Sequence, residues 1–178
     1  SLTLARQVAA IRERRLGADH PETLAAQNMV ATDEVYLAQD ARAFAKAHAL
    51  LDRVIASRQR VLGPDHPDTV ASMAVLVRLL AKQGDFAGNV KAQRAFNAQA
   101  VALERDILAS HRRMLGPDHP ATLMAMGSLA SLLDGAGEYT EALARAEQTL
   151  QGQRRTLGVD HPVISATLTL IGDIDGDA

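Results

Sequence analysis

The chain has 178 residues, with 19 Lys and Arg against 21 Asp and Glu, no Cys and no Trp. A net charge of -2 argues against nucleic-acid binding as the main role, because neutralising phosphates needs a basic excess. Without Cys there are no disulfides, thiolate zinc sites, Fe–S clusters or thiol nucleophiles, which suits a reducing, cytoplasmic setting. A hydrophobic share of 47% with 22% charged residues marks a folded rather than a disordered chain.

The chain lacks an apolar run of the length a membrane span needs. Its start, Ser1 to Arg6, has no basic region and no apolar stretch of a signal peptide. It begins with Ser rather than Met, which suits a piece of a longer protein. Ala, Leu, Arg, Gln and Glu dominate, all good helix formers, so the expected class is all-α. Arg outnumbers Lys 16 to 3, a bias that hints at a GC-rich bacterial source.

Residues 1–16 read as a single helix. L-G-x-D-H-P then occurs four times, at Leu16–Pro21, Leu62–Pro67, Leu115–Pro120 and Leu157–Pro162. Its His residues are spaced by 46, 53 and 42 positions. The physics of the motif is readable. Gly closes a helix by accepting a left-handed conformation. Pro opens the next helix where its missing N–H costs nothing. Asp or His before it caps the free N–H groups. Asp19, His20 and Pro21, Asp65, His66 and Pro67, Asp118, His119 and Pro120, and Asp160, His161 and Pro162 are therefore structural repeat residues.

An aromatic residue follows each of the first three His: Phe44, Phe86 and Tyr139, after 24, 20 and 20 residues. Each is expected to open the second helix of its unit. Four extra residues before Phe44 predict a first helix one turn longer in that unit. Eleven extra residues between Phe86 and Gly116 predict a long helix from about Val90 to Leu115, after a break at Ala87–Asn89. Residues 162–171 read as a final lone helix, and Asp173 to Asp177 as a frayed acidic tail.

These motifs resemble a tetratricopeptide (TPR) array of the kinesin-light-chain type, the long variety with a repeat near the 42 residues that separate His119 from His161. Its hallmark L-G-x-D-H-P-x-T-L stands at Leu16–Leu24 and Leu115–Leu123, and nearly at Leu62–Val70. The helix-B signature, aromatic-x-x-Ala, stands at Phe44…Ala47 and Tyr139…Ala142 but not at Phe86…Asn89. The resemblance implies a right-handed α-solenoid of three full helix pairs with a half unit at each end. The expected divisions are 1–17, 18–63, 64–116, 117–158 and 159–178 of a single repeat domain.

It also implies a non-catalytic protein-interaction module, with the first helix of each pair lining a groove for a peptide or partner helix. The groove residues are Asn28, Thr32 and Tyr36, then Arg78 and Lys82, then Met124, Ser131 and Asp134, with Gly135 also inward. Only Asn28 matches the Asn pair that clamps ligand backbone in such arrays. Arg78 and Lys82 lie one turn apart and suit a carboxylate, while Met124 suits an apolar anchor. The expected partner is thus an acidic peptide segment with an apolar anchor, with no membrane, nucleic acid, cofactor or metal. The alternative is a structural module that self-associates through its ends and long helix. No nucleophile elbow, phosphate loop or paired metal-ligand spacing occurs, so no enzyme is expected.

Overall fold

The computed structural model describes residues 2–158 and 160–177. Among the described residues there are eight helices and no strand. They are α1 (Leu2–Leu16), α2 (Pro21–Leu37), α3 (Ala41–Leu62), α4 (Pro67–Phe86), α5 (Val90–Leu115), α6 (Pro120–Ala136), α7 (Tyr139–Leu157) and α8 (Pro162–Asp177). They fall into two compact units, Ser1–Phe86 and Ala87–Ala178.

Each unit is built by consecutive packing, as expected of a helix-pair solenoid. In the first, α1 packs on α2, α2 on α3 and α3 on α4, and α2 also touches α4. In the second, α5 packs on α6, α6 on α7 and α7 on α8, and α6 also touches α8. A single helix pair has one apolar stripe to hide, and the next pair hides it. Leu24, Ala31, Leu51, Val54 and Leu79 form the core of the first unit, and Ala100, Leu129, Leu133, Ala142 and Ala146 that of the second.

The repeated motif is a closed hydrogen-bonded turn. Gly17, Gly63, Gly116 and Gly158 all have φ between 82° and 97°, the region only Gly enters freely. The N–H groups of Gly17, Gly63 and Gly116 donate to the carbonyls four residues back. His20, His66, His119 and His161 each accept on Nδ1 from the backbone N–H two residues on, at 3.1 to 3.3 Å. This satisfies one of the orphan donors at the start of α2, α4, α6 and α8. The Thr of the motif closes the loop in the middle copies: Thr69 donates to the Gly63 carbonyl at 2.9 Å and Thr122 to that of Gly116 at 2.7 Å. The motif Asp reaches forward instead. Asp19 pairs with Arg60 of α3, and Asp118 with Arg155 of α7 at 2.6 Å. Both arginines stand three residues before their Gly.

The long helix is present as α5, with 26 residues spanning roughly 39 Å. Gly88 (φ 68°) turns the chain before it, and Asn89 Oδ1 caps it by accepting from the Ala92 N–H at 2.8 Å. Three expectations are corrected. Helix α2 is not a turn longer: it has 17 residues, as α6 has. The extra residues form the link after Leu37 and the first turn of α3, because Asp40 caps α3 through its bond from the Ala43 N–H and starts the helix ahead of Phe44. Phe86 does not open a second helix. It ends α4 and meets Phe44 edge-on, ring centres 5.5 Å apart. The acidic tail is not frayed but continues α8 to Asp177.

Candidate functional site: a recess between α2 and α4

The sequence-predicted groove residues of the first unit come together in part. Thr32, Val35 and Tyr36 of α2 and Arg78 and Lys82 of α4 line one recess of about 330 Å³. Tyr36 is 83% exposed, unusual for an aromatic side chain. Arg78 is exposed and has no hydrogen bond or ion pair among the described residues. Thr32 donates its hydroxyl to the Asn28 carbonyl at 2.9 Å.

Lys82 is more occupied than its sequence position suggests. Its ammonium donates to the carbonyls of Val35 at 3.1 Å and Tyr36 at 2.7 Å, and sits 6.0 Å from the Phe86 ring centre. It satisfies the orphan carbonyls at the end of α2 and adds charge at the negative end of its dipole. Lys82 therefore builds the wall of the recess while still contributing positive potential inside it.

Asn28 does not face the recess as a free clamp. Its side-chain carbonyl accepts from Ser72 of α4 at 2.9 Å, and Ser72 in turn accepts from Nη1 of Arg58 at 2.7 Å. Arg58 comes from α3 and is buried; it also donates to the Asp68 carbonyl. Burial pulls its guanidinium below the usual arginine range, opposed by nearby Asp68. This chain of bonds ties α2, α3 and α4 together behind the recess. Sequence reasoning missed Arg58, yet a signal exists. Counting back from each repeat Gly, Arg12, Arg58, His111 and Gln153 occupy one position. Arg12 donates to the Glu22 carbonyl at 3.2 Å, and His111 bonds the backbone of Ala121, each ten residues on as Arg58 does to Asp68. Gln153 instead accepts from Thr167 at 2.8 Å, the place that Ser72 holds for Arg58.

A second buried polar cluster fixes the other side of α2. Glu34 is nearly buried, and its Oε1 takes both Arg6 of α1 at 2.8 Å and Lys46 of α3 at 2.9 Å. The matching positions in α4 and α6 are Leu80 and Leu133, both buried.

In the second unit, Met124 and Ser131 are exposed on α6, and Asp134 is half-buried, its carbonyl accepting from the Gly137 N–H at 2.8 Å. Gly135 is not a groove residue. A Cβ there would lie 2.4 Å from Nδ2 of Asn97, so Gly135 is where α5 crosses α6 closely. No group of three His, Asp or Glu side chains able to hold a metal ion occurs among the described residues, and no helix among them is long and apolar enough to cross a membrane.

Consecutive helix pairs punctuated by L-G-x-D-H-P turns define a helical repeat scaffold. The model of the tetratricopeptide repeat matches residues 1–22, 35–68, 88–121 and 122–163, and the chain belongs to that family. No curated protein matches it significantly. Among solved structures it is similar to the nearly identical TPR-like repeats of a candidate kinesin light chain from Podosopora anserina, in two crystal structures, one of a point-substituted form. Both are 27% identical to this chain and cover 99% of it and 76% of their own length, with TM-scores of 0.80 and 0.78. The repeats are thus of the kinesin-light-chain type. Proteins of this repeat family are generally non-catalytic interaction scaffolds.

Proposed function

We propose that the chain works as a cytoplasmic bacterial scaffold or regulatory repeat domain that binds an acidic peptide segment in the recess between α2 and α4. The observation that carries this reading is the pairing of an exposed, unengaged Arg78 with an 83% exposed Tyr36 around one recess. Arg78 offers a planar fork for a peptide carboxylate. Tyr36 offers a flat apolar face with a polar tip, the type of side chain that anchors interfaces. Lys82 holds the end of α2 in place and adds positive field. Thr32 contributes the neighbouring wall. Asn28 acts from behind by orienting Ser72 and α4. Met124, Ser131 and Asp134 provide a corresponding contact face on the second unit. The five divisions at the repeat Gly residues act in this reading as parts of one repeat domain.

A peptide-display selection on the purified chain and on Arg78→Glu tests this. A shared acidic motif that Arg78→Glu loses is the expected result. Because Lys82→Glu would also release the end of α2, it serves as a second variant, with helicity checked by circular dichroism. A motif retained by Arg78→Glu would sink the reading.

A further inference from the structure

The chain of bonds behind the recess has a direction, and Arg58 sets it. A guanidinium carries donors only, so no hydroxyl can donate to it. Nη1 of Arg58 directs its two N–H groups to the Asp68 carbonyl and to Ser72 Oγ, the latter at 2.7 Å. The Ser72 hydroxyl keeps one proton and has two acceptors in reach. The Asp68 carbonyl, at 3.2 Å, already accepts from Arg58. Asn28 Oδ1, at 2.9 Å, is the nearer of the two. The hydroxyl therefore donates forward to Asn28, and α4 is tied to α2.

The second unit shows the opposite polarity. Gln153 stands five residues before its repeat Gly, as Arg58 does, and Thr167 five residues after its Pro, as Ser72 does. Gln153 offers an acceptor, and Thr167 donates back to it at 2.8 Å. No such tie can reach α6, where Gly127 holds the place of Asn28 and has no side chain. A neutral residue is thus compatible with the fold at this place. Arginine is the costlier choice there, because it is buried and its Nε has no partner. What it adds is direction.

The tie lies where it can act on the recess. Asn28 is one turn before Thr32, and Ser72 is six residues before Arg78. One turn after Arg78, Lys82 makes a second tie, to the carbonyls of Val35 and Tyr36. Thr32 and Arg78 are therefore bracketed by polar ties between α2 and α4. The structure assigns Arg58 as a positioning residue of the recess: by making the Ser72 hydroxyl donate to Asn28, it sets the spacing of α2 and α4 at which Arg78 and Tyr36 face one ligand. This role rests on the peptide-binding reading of the recess.

The chain has no Cys, so a pair of spin labels can be placed without side reactions. Labels at Tyr36→Cys and Arg78→Cys report the distance between α2 and α4 by pulsed electron paramagnetic resonance, with no ligand needed. The labelled chain is compared with its Arg58→Lys and Arg58→Gln forms, helicity being checked by circular dichroism. Lys is again a donor only, whereas Gln supplies the acceptor that Gln153 supplies. A narrow distance distribution is expected with Arg58 and with Arg58→Lys, and a broad one with Arg58→Gln. Ser72→Ala removes the hydroxyl and should broaden it too, and it decides alone if Arg58→Gln loses helicity. In chains without labels, an acidic peptide from the display selection should bind about tenfold more weakly to Arg58→Gln and to Ser72→Ala, the effect of one lost hydrogen bond of a charged group. A distribution that stays narrow in Arg58→Gln and Ser72→Ala overturns the inference. So does one as broad in Arg58→Lys as in Arg58→Gln, which would make Arg58 a filler of space. Unchanged peptide affinity in Arg58→Gln, where Arg78→Glu loses binding, sinks this role and leaves the recess reading standing. No peptide binding by the unsubstituted chain defeats the recess reading, and this role with it.

Discussion

Helices α3 and α5 hold the same place in successive repeats, 53 residues apart, and they solve it with different chemistry. The stripe that α3 buries is Phe44, Ala47, Leu51, Val54, Ile55 and Arg58. The matching residues of α5 are Asn97, Ala100, Glu104, Ile107, Leu108 and His111. Small and aliphatic positions are kept. An aromatic residue, a Leu and an Arg become an amide, a carboxylic acid and an imidazole. In α3 the one charged residue is held through its Nη1 by Ser72 and the Asp68 carbonyl, while its Nε is buried without a partner. In α5 burial itself sets the ionisation. It pushes the Glu104 carboxyl up to about 7, and it lowers the His111 imidazole below its ordinary value, only partly offset by the bond to Ala121. The lesson is that a shared backbone register fixes which positions are buried, not what is buried there. At two of these positions, those of Phe44 and Leu51, α5 buries a polar group where α3 buries an apolar one.

The largest expected effect comes from forcing α3 to copy α5. Leu51 is fully buried, and Leu51→Glu would bury a carboxylate without a designed partner. A loss of about 4 kcal/mol is expected, enough to unfold the first unit, measured by urea titration of helicity. A loss under about 1 kcal/mol would mean that the α3 site is as permissive as that of α5.

The reverse exchange tests the ionisation argument. Glu104 has its folded pKa raised from about 4.5 to about 7, so the folded state favours the protonated form. Its contribution is fully present below about pH 4.5 and is lost as pH rises through 7. Above pH 7 the loss is roughly 3 kcal/mol, from about 1.4 kcal/mol for each pH unit between the two values. Glu104→Leu should therefore stabilise the chain most at alkaline pH and little at pH 4.5. His111 acts in the opposite sense. Its folded pKa is lowered, so its contribution is present above its unfolded pKa and is lost as pH falls through the folded value. A His111→Gln variant, copying Gln153, should remove the acid-side loss alone. Urea titrations from pH 4 to 9 check both, and an alkaline limb unchanged in Glu104→Leu would refute the assignment.

A third comparison concerns room rather than charge. Where α3 has Phe44, α5 has Asn97, set against a glycine of α6. Gly135→Ala places a methyl 2.4 Å from Nδ2 of Asn97 and should cost about 1 to 2 kcal/mol. Asn97→Ala in the same chain should recover most of that, because the clash lies with the end of one side chain. A double-mutant cycle with a coupling below about 0.5 kcal/mol would show that the glycine is there for its backbone instead.

How much of this was legible beforehand follows the repeat. The four turns, the helix order and the long α5 could be read because L-G-x-D-H-P fixes helix ends chemically, through Gly conformation, the His cap and Pro. Register inside the second helices was less legible. Phe86 sits 20 residues after its His, as Tyr139 does, and the spacing pointed to an equivalent role. Counting back from the following Gly instead would have put Asn97 in that role, since α5 gains its extra length at its start. Lys82 and Asn28 were found on the correct helices, but their partners are 44 to 47 residues away, and no local pattern encodes such a contact. Nothing local marks Arg58 as buried; the sequence pattern that singles it out is its place five residues before the repeat Gly, shared with Arg12, His111 and Gln153.

The smallest expected effect concerns the two units' shared surface stitch. Arg60 with Asp19, and Arg155 with Asp118, are ion pairs of the same register, one in each unit, and both are well exposed. Exposed pairs of this kind typically contribute between 0 and about 1 kcal/mol, because water screens the attraction and ordering two long side chains opposes it. Arg60→Ala and Arg155→Ala should therefore each cost about 0.5 kcal/mol or less, and the difference should vanish in 1 M salt, where the screening length falls to about 3 Å. The two variants are a control for everything above. If Arg155→Ala cost several times more than Arg60→Ala, the difference between the units would extend beyond the buried stripe to the turns that join their helices. Equal, small losses would confine it to the three exchanged side chains of α5.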